Sequence, residues 1–288
     1  VERSAGISST AEDLTRLGLL KLSLNNLDGI VNLEAAVEKS PELDAAQTTL
    51  GKAYLATKQF DKALTLAEEW KVSAPEDIKP YMLAGEIYTK QQKFSEAKAE
   101  FEQALKKAPN NVSPQLALTN LALVQKDISL ASQLLEDILV EYPTNIPALA
   151  TQYLISKQQG DSSKSMQKIQ SAFKSEPQNL GLRLLLARIE AAELNYNGAI
   201  DLLKDLKDKE SLPLGYWKVL GQSYIRTNQV AAANQHYDAW MAIQPNNKDA
   251  NVGKLLLLDN RNKFKDALTI TQRFLDNRDD LQMQLLHL

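Results

Sequence analysis

Prolines recur in this chain at a fixed interval. They stand at positions 41, 75, 109, 143 and 177, each 34 residues after the last, and Pro245 restores this phase after Pro213 falls two residues late. A fixed period of roughly 20 to 50 residues is typical of arrays that stack one small unit on its neighbours. The period predicts a single helical solenoid with repeats at about 44–77, 78–111, 112–145, 146–179, 180–213, 214–247 and 248–281.

The two ends depart from this pattern. A weaker, degenerate repeat covers about 10–43, because the pair Leu17-Gly18 falls one residue late relative to Pro41. Residues 282–288 have the pattern of the start of a further helix. We therefore expect a longer array from which this chain is a fragment, or a last helix that is covered by a second copy of the chain.

Within a repeat, large apolar residues fall three and four positions apart on two successive runs, which is the period of an amphipathic helix. The clearest case runs Trp217-x2-Leu220-Gly221-x2-Tyr224, continues as Ala233-x3-Tyr237 and closes on Pro245. This unit resembles the tetratricopeptide repeat. The resemblance implies an all-α fold, a right-handed superhelical solenoid of antiparallel helix pairs with a 34-residue period.

Polar residues at repeating positions predict where the helices begin. Side chains of Asp, Asn and Ser accept hydrogen bonds from the free amides at a helix start. The residues that precede the predicted first helices are Asp77, Asn111, Asn145, Asn179 and Asn247. The residues that we expect to cap the second helices are Asp61, Ser95, Ser129, Ser163 and Asn197.

Composition excludes several classes of function. Lys plus Arg number 33 against 36 Asp plus Glu, so the net charge of -3 offers no footprint for nucleic acid. The chain has no Cys and no apolar run of the roughly 20 residues that span a bilayer. His236 and His287 have no metal-ligand or nucleophile partner at useful spacing, and no phosphate-binding loop occurs. We expect no catalysis, cofactor or metal, and we interpret His236 as a packing or surface residue.

Function is then expected from the shape of the surface. In tetratricopeptide arrays the first helices line the concave face, which usually holds the ligand. The resemblance places these residues in that groove: Lys52, Lys79, Met82, Glu86, Leu116, Asn120, Leu123, Leu154, Lys157, Leu184, Arg188, Lys218, Gln222 and Arg226. Apolar anchors with a polar rim predict a non-catalytic scaffold that binds a protein or peptide partner. The alternative for these side chains is that some of them fill the space between neighbouring first helices.

The sequence also bears on one special kind of groove and on one alternative to a groove. Arrays that clamp a C-terminal carboxylate use a set of Lys, Asn and Arg residues, of which Lys52 and Asn120 are present, but Glu86 and Leu116 stand where complementary groups are required. That clamp is therefore not expected. The rival to a binding groove is an architectural role, in which the array self-associates as a homo-oligomer through its open terminal helices.

The last third of the chain carries a narrower resemblance. It contains Gly215-Tyr216-Trp217-x2-Leu220-Gly221, Tyr237, Lys265-Asp266-Ala267-Leu268 and Phe274-Leu275. These residues look like the tetratricopeptide lipoprotein of the bacterial exosortase (PEP-CTERM) sorting system. That resemblance implies a membrane-tethered protein of the bacterial periplasm or envelope, linked to exopolysaccharide and protein export. The lipid-modified Cys and the larger number of repeats of that family are not found in this chain.

Overall fold

The computed structural model describes residues 9–259 and 264–275, and these residues form α-helices and turns without a β-strand. The chain divides into two compact units, Val1–Tyr142 and Pro143–Leu288. The first unit holds α1 (Ala11–Ser23), α2 (Gly29–Lys39), α3 (Asp44–Ala56), α4 (Phe60–Ser73), α5 (Lys79–Lys90), α6 (Phe94–Lys107), α7 (Val112–Val124) and α8 (Ile128–Glu141). The second holds α9 (Ile146–Gln158), α10 (Ser163–Ser175), α11 (Leu180–Ala192), α12 (Tyr196–Leu203), α13 (Leu214–Arg226), α14 (Val230–Ile243), α15 (Lys248–Asp259) and α16 (Phe264–Leu275).

Within each unit, every helix packs against the next helix along the chain. The connecting turns are short, and short turns between packed helices make the neighbours antiparallel. We call the odd-numbered helices first helices and the even-numbered ones second helices. First helices also contact each other, α3 with α5 and α5 with α7 in the first unit, and α9 with α11 and α11 with α13 in the second. In each unit the first helices therefore form one layer.

A left-handed residue reverses the chain between a first helix and its second helix. Positive φ angles between 56° and 90° occur at Lys58, Gln92, Lys126, Gly160, Leu194 and Asn228. These six positions are each 34 residues apart, so the backbone repeats with the period of the prolines. Only one of the six is Gly, although L side chains rarely adopt this conformation.

The asparagine caps of the first helices are present as predicted from the sequence. Asn111 accepts a hydrogen bond from the Ser113 amide, and the corresponding bonds at Asn145, Asn179 and Asn247 come from Ala148, Leu182 and Ala250. Asp77 lies one residue before the N-cap of α5 and accepts a hydrogen bond from the amide of Lys79, the first residue of that helix. These bonds satisfy amides that have no partner inside the helix.

The predicted caps of the second helices are wrong. Four of these helices begin on the large apolar residue that precedes the predicted cap. The predicted caps of α4, α6, α8 and α12 therefore lie inside the first turn, and they are Asp61, Ser95, Ser129 and Asn197. In α10 the N-cap is Ser162, and the predicted cap Ser163 is the first helical residue. The left-handed residue sets the start, because each of these four helices begins two residues after it. The N-cap residues Asp127 and Asn195 accept from amides in the first turn of α8 and α12, and Asp161 accepts from the amide of Ser163, the first residue of α10.

Small residues bring the paired helices into contact. In the first unit, a Cβ atom at Gly85 would overlap the ring of the buried Phe101 of the second helix. In the second unit, a Cβ at Gly221 would lie 2.8 Å from the hydroxyl oxygen of Tyr237. Both glycines stand where the sequence pattern requires a small residue, and the aromatic ring opposite fills the space that the glycine leaves.

The irregular proline phase near Pro213 has a structural counterpart. The second helix α12 has 8 residues, whereas α14 has 14. The chain then continues through the left-handed Asp208 and a 3-10 turn at Lys209–Ser211 before Pro213 precedes α13. Leu212 is buried in the core of the second unit and fixes this irregular segment to it.

Candidate functional site

Half of the predicted groove residues belong to the first unit and lie on three neighbouring first helices. Lys52 is on α3, and α5 carries Lys79, Met82 and Glu86. The remaining three, Leu116, Asn120 and Leu123, are on α7. The lysines, Glu86 and Asn120 are exposed, whereas Met82, Leu116 and Leu123 are half-buried.

Four of these residues line one cavity. A cavity of about 150 Å³, which we call the α3–α5 cavity, is bounded by Thr48, Lys52, Trp70, Lys79, Met82, Leu83 and Glu86. Trp70 and Leu83 are buried and supply an apolar floor, and the charged side chains stand at the rim. The hydroxyl oxygen of Thr48 is buried and forms no hydrogen bond within the described residues. A buried polar atom without a partner costs free energy, so this cavity offers a donor and acceptor to a ligand.

Charges of both signs meet at the rim of the α3–α5 cavity. The ammonium nitrogen of Lys79 lies 2.7 Å from Oδ2 of Asp44 on α3. Glu86 is exposed overall, but partial desolvation of its carboxyl raises the pKa above the ordinary value, and the charges of Lys52 and Lys90 oppose this shift. The cavity therefore combines an apolar floor with groups that can pair with either sign of charge.

The three α7 residues do not line this cavity. Leu116 and Leu123 are half-buried, so part of their apolar surface is already used in packing. Asn120 is exposed. Part of the predicted apolar middle of the groove is therefore used in packing. This agrees with the alternative that some of these side chains fill the space between neighbouring first helices.

The other seven predicted residues lie on first helices of the second unit. Leu154 and Lys157 are on α9, Leu184 and Arg188 on α11, and Lys218, Gln222 and Arg226 on α13. Leu154 is 65% exposed, which is unusual for a leucine in a helix interior. Leu184 is half-buried and packs against the core of the unit, and the other five side chains are exposed.

Two of the lysines in the second unit are held by carboxylates. Lys157 lies 2.6 Å from Oε1 of Glu193, which also accepts a hydrogen bond of 2.6 Å from the hydroxyl of Tyr153. Lys157 and Tyr153 both lower the pKa of Glu193. Lys218 lies 2.8 Å from Oδ2 of Asp249 on α15.

The sequence interpretation missed these acidic partners. Asp44, Glu193 and Asp249 pair with lysines that lie 31 to 36 residues away in the chain. That separation is close to the proline period, and it could have indicated that the charges belong to adjacent helix pairs. The apolar floor formed by Trp70 was missed as well, because Trp70 belongs to a second helix.

His236 is buried among aromatic rings in the second unit. Its Nε2 lies 2.9 Å from the carbonyl oxygen of Trp217, so this nitrogen carries the hydrogen and donates it. Desolvation lowers the pKa of His236 to about 4, against the hydrogen bond to Trp217. Rings of Tyr216, Trp217 and Tyr237 lie 5.1 to 5.8 Å from the imidazole. His236 is a packing residue, which is one of the two alternatives left by the sequence.

Some predictions fall outside the described part of the chain. His287 and the segment 282–288, on which the self-association alternative rests, are not among the residues 9–259 and 264–275. Among those residues, no group of three acidic, His or Cys side chains is placed to hold a metal ion. None of the described helices is long and apolar enough to cross a membrane.

Comparisons with known protein families and solved structures agree with an array of helix pairs. Residues 88–152 match the family described as tetratricopeptide repeat. No curated protein matches the sequence. The yeast Tom70 structure is 14% identical, with a TM-score of 0.60, over 99% of this chain and 55% of that one. Cut9, in a hetero-tetramer with Hcn1 from the APC/C, is 14% identical with a TM-score of 0.50 over 91% of this chain and 52% of that one.

The chain spans about half the length of these two structures, and at this level of identity the likeness concerns the fold alone. The family match covers the end of α5, all of α6, α7 and α8, and the first half of α9. The same alternation of first and second helices, with the same left-handed turn, extends on both sides of the matched residues. Residues 88–152 match the tetratricopeptide-repeat family, and the described residues have the all-α fold of a tetratricopeptide-repeat solenoid.

Proposed function

We propose that this protein is a non-catalytic scaffold that binds a peptide or protein partner on its first helices. The observation that carries the proposal is the α3–α5 cavity. Its buried Trp70 and Leu83 offer an apolar floor, and Thr48, Lys52 and Glu86 offer polar groups around it. Apolar anchor sites with a polar rim are the usual composition of a peptide-binding surface.

The first helices of the second unit support the same proposal. The exposed side chain of Leu154 would be covered by a bound partner, and removing its apolar surface from water would favour binding. The ion pairs of Lys157 and Lys218 are solvent-exposed. Exposed pairs contribute about 0 to 1 kcal/mol, so a partner with acidic side chains could replace Glu193 or Asp249 at little cost.

One of the similar structures adds a precedent for a protein partner. Cut9 was crystallised together with Hcn1, and its likeness to this chain extends over 91% of the chain. The precedent concerns the class of ligand, which is another protein. The tetratricopeptide family to which residues 88–152 are matched is a repeat family rather than an enzyme family.

The proposal is tested with peptides selected on the wild-type protein from a random library. Met82→Glu places a charge against the apolar floor of the α3–α5 cavity. Leu154→Glu replaces the exposed apolar side chain on α9 with a charged one. We expect one or the other variant to weaken binding of the selected peptides by about tenfold or more, because a buried unpaired carboxylate is costly. Binding is measured by fluorescence anisotropy, and circular dichroism checks that each variant is folded.

The matched control is Val72→Glu. Val72 is a helical apolar residue on α4 that is 84% exposed, so it undergoes the same change of chemistry away from the first helices. We expect it to bind the selected peptides as the wild type does. Equal weakening by all three variants, or by none of them, would contradict binding on the first helices.

We also propose that the scaffold serves in a bacterial envelope export or exopolysaccharide system. The support is the resemblance of Gly215-Tyr216-Trp217-x2-Leu220-Gly221 and Tyr237 to the exosortase-associated lipoprotein. If the proposal is right, the protein made from its complete gene fractionates with membranes and incorporates radiolabelled palmitate. Recovery of the unlabelled protein in the soluble fraction would overturn this part of the proposal and leave the binding scaffold untouched.

A further inference from the structure

The first unit contains a second cavity with a different set of lining residues. It has a volume of about 550 Å³ and lies between α2, α3 and α4. We call it the α2–α4 cavity. It shares no lining residue with the α3–α5 cavity, and most of its walls come from the second helices α2 and α4. It is therefore a separate surface from the one on which the proposed function depends.

Apolar side chains form the part of the α2–α4 cavity that adjoins the core of the unit. Leu50 and Leu66 are buried members of the core of the first unit, and Val37 packs against that core. All three line the cavity. A ligand that enters it must therefore present an apolar portion to these side chains.

The charge of the cavity is strongly one-sided. Glu34, Glu38, Asp61 and Glu69 line it, and Lys62 is the one cation among the lining residues. Lys62 lies 2.9 Å from Oε1 of Glu34, and the same oxygen accepts a hydrogen bond of 2.6 Å from the Tyr54 hydroxyl. Glu34 is thereby satisfied, and hydrogen bonds from Lys62 and Tyr54 lower its pKa.

The other three carboxylates, Glu38, Asp61 and Glu69, form no ion pair with any residue in the described ranges. Like charges around a small concave surface repel each other and raise the local concentration of cations. A positively charged group is the ligand that relieves this repulsion.

One residue that lines this cavity also carries an unpaired buried acceptor. Gln47 lines it and is only 2% exposed. The side-chain nitrogen of Gln47 donates a hydrogen bond to the carbonyl oxygen of Pro41, which is also a lining residue. The amide oxygen Oε1 of Gln47 is left buried and without a donor. Because such an atom costs free energy until it is paired, it points to a ligand with an N–H donor.

We propose that the α2–α4 cavity binds an arginine side chain from a peptide segment of a protein partner. The apolar stem of arginine packs against Val37, Leu50 and Leu66, and its guanidinium offers five donors in a plane to the carboxylates and to Gln47. Arginine suits the site better than lysine, because a guanidinium sheds its water more readily and binds several oxygens at once. The volume exceeds that of one side chain, so neighbouring residues of the peptide enter as well.

The experiment uses the intact chain and two matched peptide pools. One pool has random residues around a fixed central arginine, and the other has citrulline, which keeps the shape and loses the charge. Each pool is captured on immobilised protein and quantified by mass spectrometry. For the wild type we expect about tenfold enrichment of the arginine pool over the citrulline pool at low salt, falling as salt is added.

Two variants change the cavity in independent ways. Glu38→Gln with Glu69→Gln removes two of the free carboxylates, and Thr65→Trp fills the cavity from an exposed position on α4 while the carboxylates remain. Both should abolish the preference for arginine. The control Glu96→Gln with Asp137→Asn removes two exposed carboxylates elsewhere in the first unit and should retain the preference.

The outcome is independent of the proposed function. Met82→Glu alters the α3–α5 cavity alone, so it should leave the arginine preference intact. Equal capture of the two pools by the wild type, or an unchanged preference in both cavity variants, would overturn the inference. Loss of the preference in Met82→Glu would also overturn it, because the arginine would then bind on the first helices.

Discussion

The imidazole of His236 is kept neutral by the aromatic rings around it. Desolvation lowers its pKa from 6.5 to about 4, while the neutral ring donates one hydrogen bond to the carbonyl of Trp217. In the unfolded chain the ring would take up a proton below pH about 6.5. The folded protein binds this proton only near pH 4, so folding opposes protonation between these values.

We therefore expect the stability of the second unit to fall as the pH is lowered from 6.5 to 4. The unfolded state binds more protons in this window, and the full difference amounts to roughly 3 kcal/mol. Urea unfolding is followed at several pH values by tryptophan fluorescence in a Trp70→Phe background, which leaves Trp217 and Trp240, whose rings lie 5.8 Å apart in this cluster. His236→Gln keeps a donor and removes the titration, so the difference between the two proteins isolates the histidine. Parallel pH profiles for both proteins would refute the assignment.

Individual ion pairs show where reading the sequence residue by residue reaches its limit. Lys79, Lys157 and Lys218 were predicted as groove residues from their positions in the repeat, and the structure places them on first helices. Their carboxylate partners were not predicted, because the choice among many surface acids depends on how two helix pairs approach each other. A period of 34 residues restricts this choice without deciding it.

At the scale of the element, the left-handed turn is under unequal strain from one repeat to the next. Gly160 adopts φ of 90° without a side chain, and a Cβ atom there would meet nothing within 4 Å. Leu194 adopts φ of 65° in the equivalent turn and is 72% exposed, so it gains little from burial. A left-handed conformation costs an L residue about 1 to 2 kcal/mol, and asparagine tolerates it better than leucine.

We expect Leu194→Asn to raise the free energy of unfolding by about 0.5 to 1 kcal/mol, because the strain is relieved at an exposed site. Gly160→Ala should lower it by about 1 kcal/mol through backbone strain alone. Chemical denaturation of both variants measures these changes. Leu154→Asn is the control, since it makes the same exchange at an exposed position inside α9, where asparagine lowers helix stability. A gain in Leu154→Asn as large as that in Leu194→Asn would rule out relief of turn strain.

Helix starts were predictable for several first helices and not for the second helices. Before α7, α9 and α11, asparagine stands directly at the N-cap, and the local signal at Asn111, Asn145 and Asn179 suffices. Before the second helices, the polar residue that resembles a cap follows a large apolar residue which already belongs to the helix. The start is set there by a left-handed turn that five of the six sequences do not mark with glycine.

At the scale of the whole molecule, each compact unit has a core of its own. The first unit buries Leu33, Leu50, Leu66, Ile87 and Phe101, and the second is built around Trp217, Trp240 and Tyr237. In repeat proteins, stability is approximately a sum of contributions from each repeat and from its contacts with its neighbours. A unit that keeps its helix pairs whole therefore keeps most of its own stabilising contacts.

We expect residues 1–142, made as a separate chain, to remain helical and to unfold cooperatively in urea. All the core residues named for the first unit lie within this range. A chain of residues 1–125, which ends between α7 and α8, is the comparison, because it leaves α7 without the second helix that packs on it. It should be less helical and less stable. A disordered spectrum for residues 1–142, by circular dichroism, would show that the first unit depends on the rest of the chain.

The fold class could be predicted from the sequence because a period of 34 residues is a signal carried by the entire chain. The candidate site could be predicted only as a set of positions on the first helices. Whether a leucine at such a position is exposed, like Leu154, or partly used in packing, like Leu116, depends on the distance between neighbouring helices. The α2–α4 cavity could not be anticipated, since its residues come from three helices and the turn between two of them and share no motif.

The regular return of the left-handed turn has a consequence for the history of the gene. From Lys58 to Asn228 the backbone passes through the same conformation at six sites, and the residues around each site continue into equivalent helices. Loss of residues 93–126, for example, would join Gln92 to Asp127 and leave the order of left-handed residue, linker and helix unchanged. Unequal recombination between such sites would lengthen or shorten the protein by whole periods. The number of repeats is therefore a trait that selection can adjust without inventing a new turn.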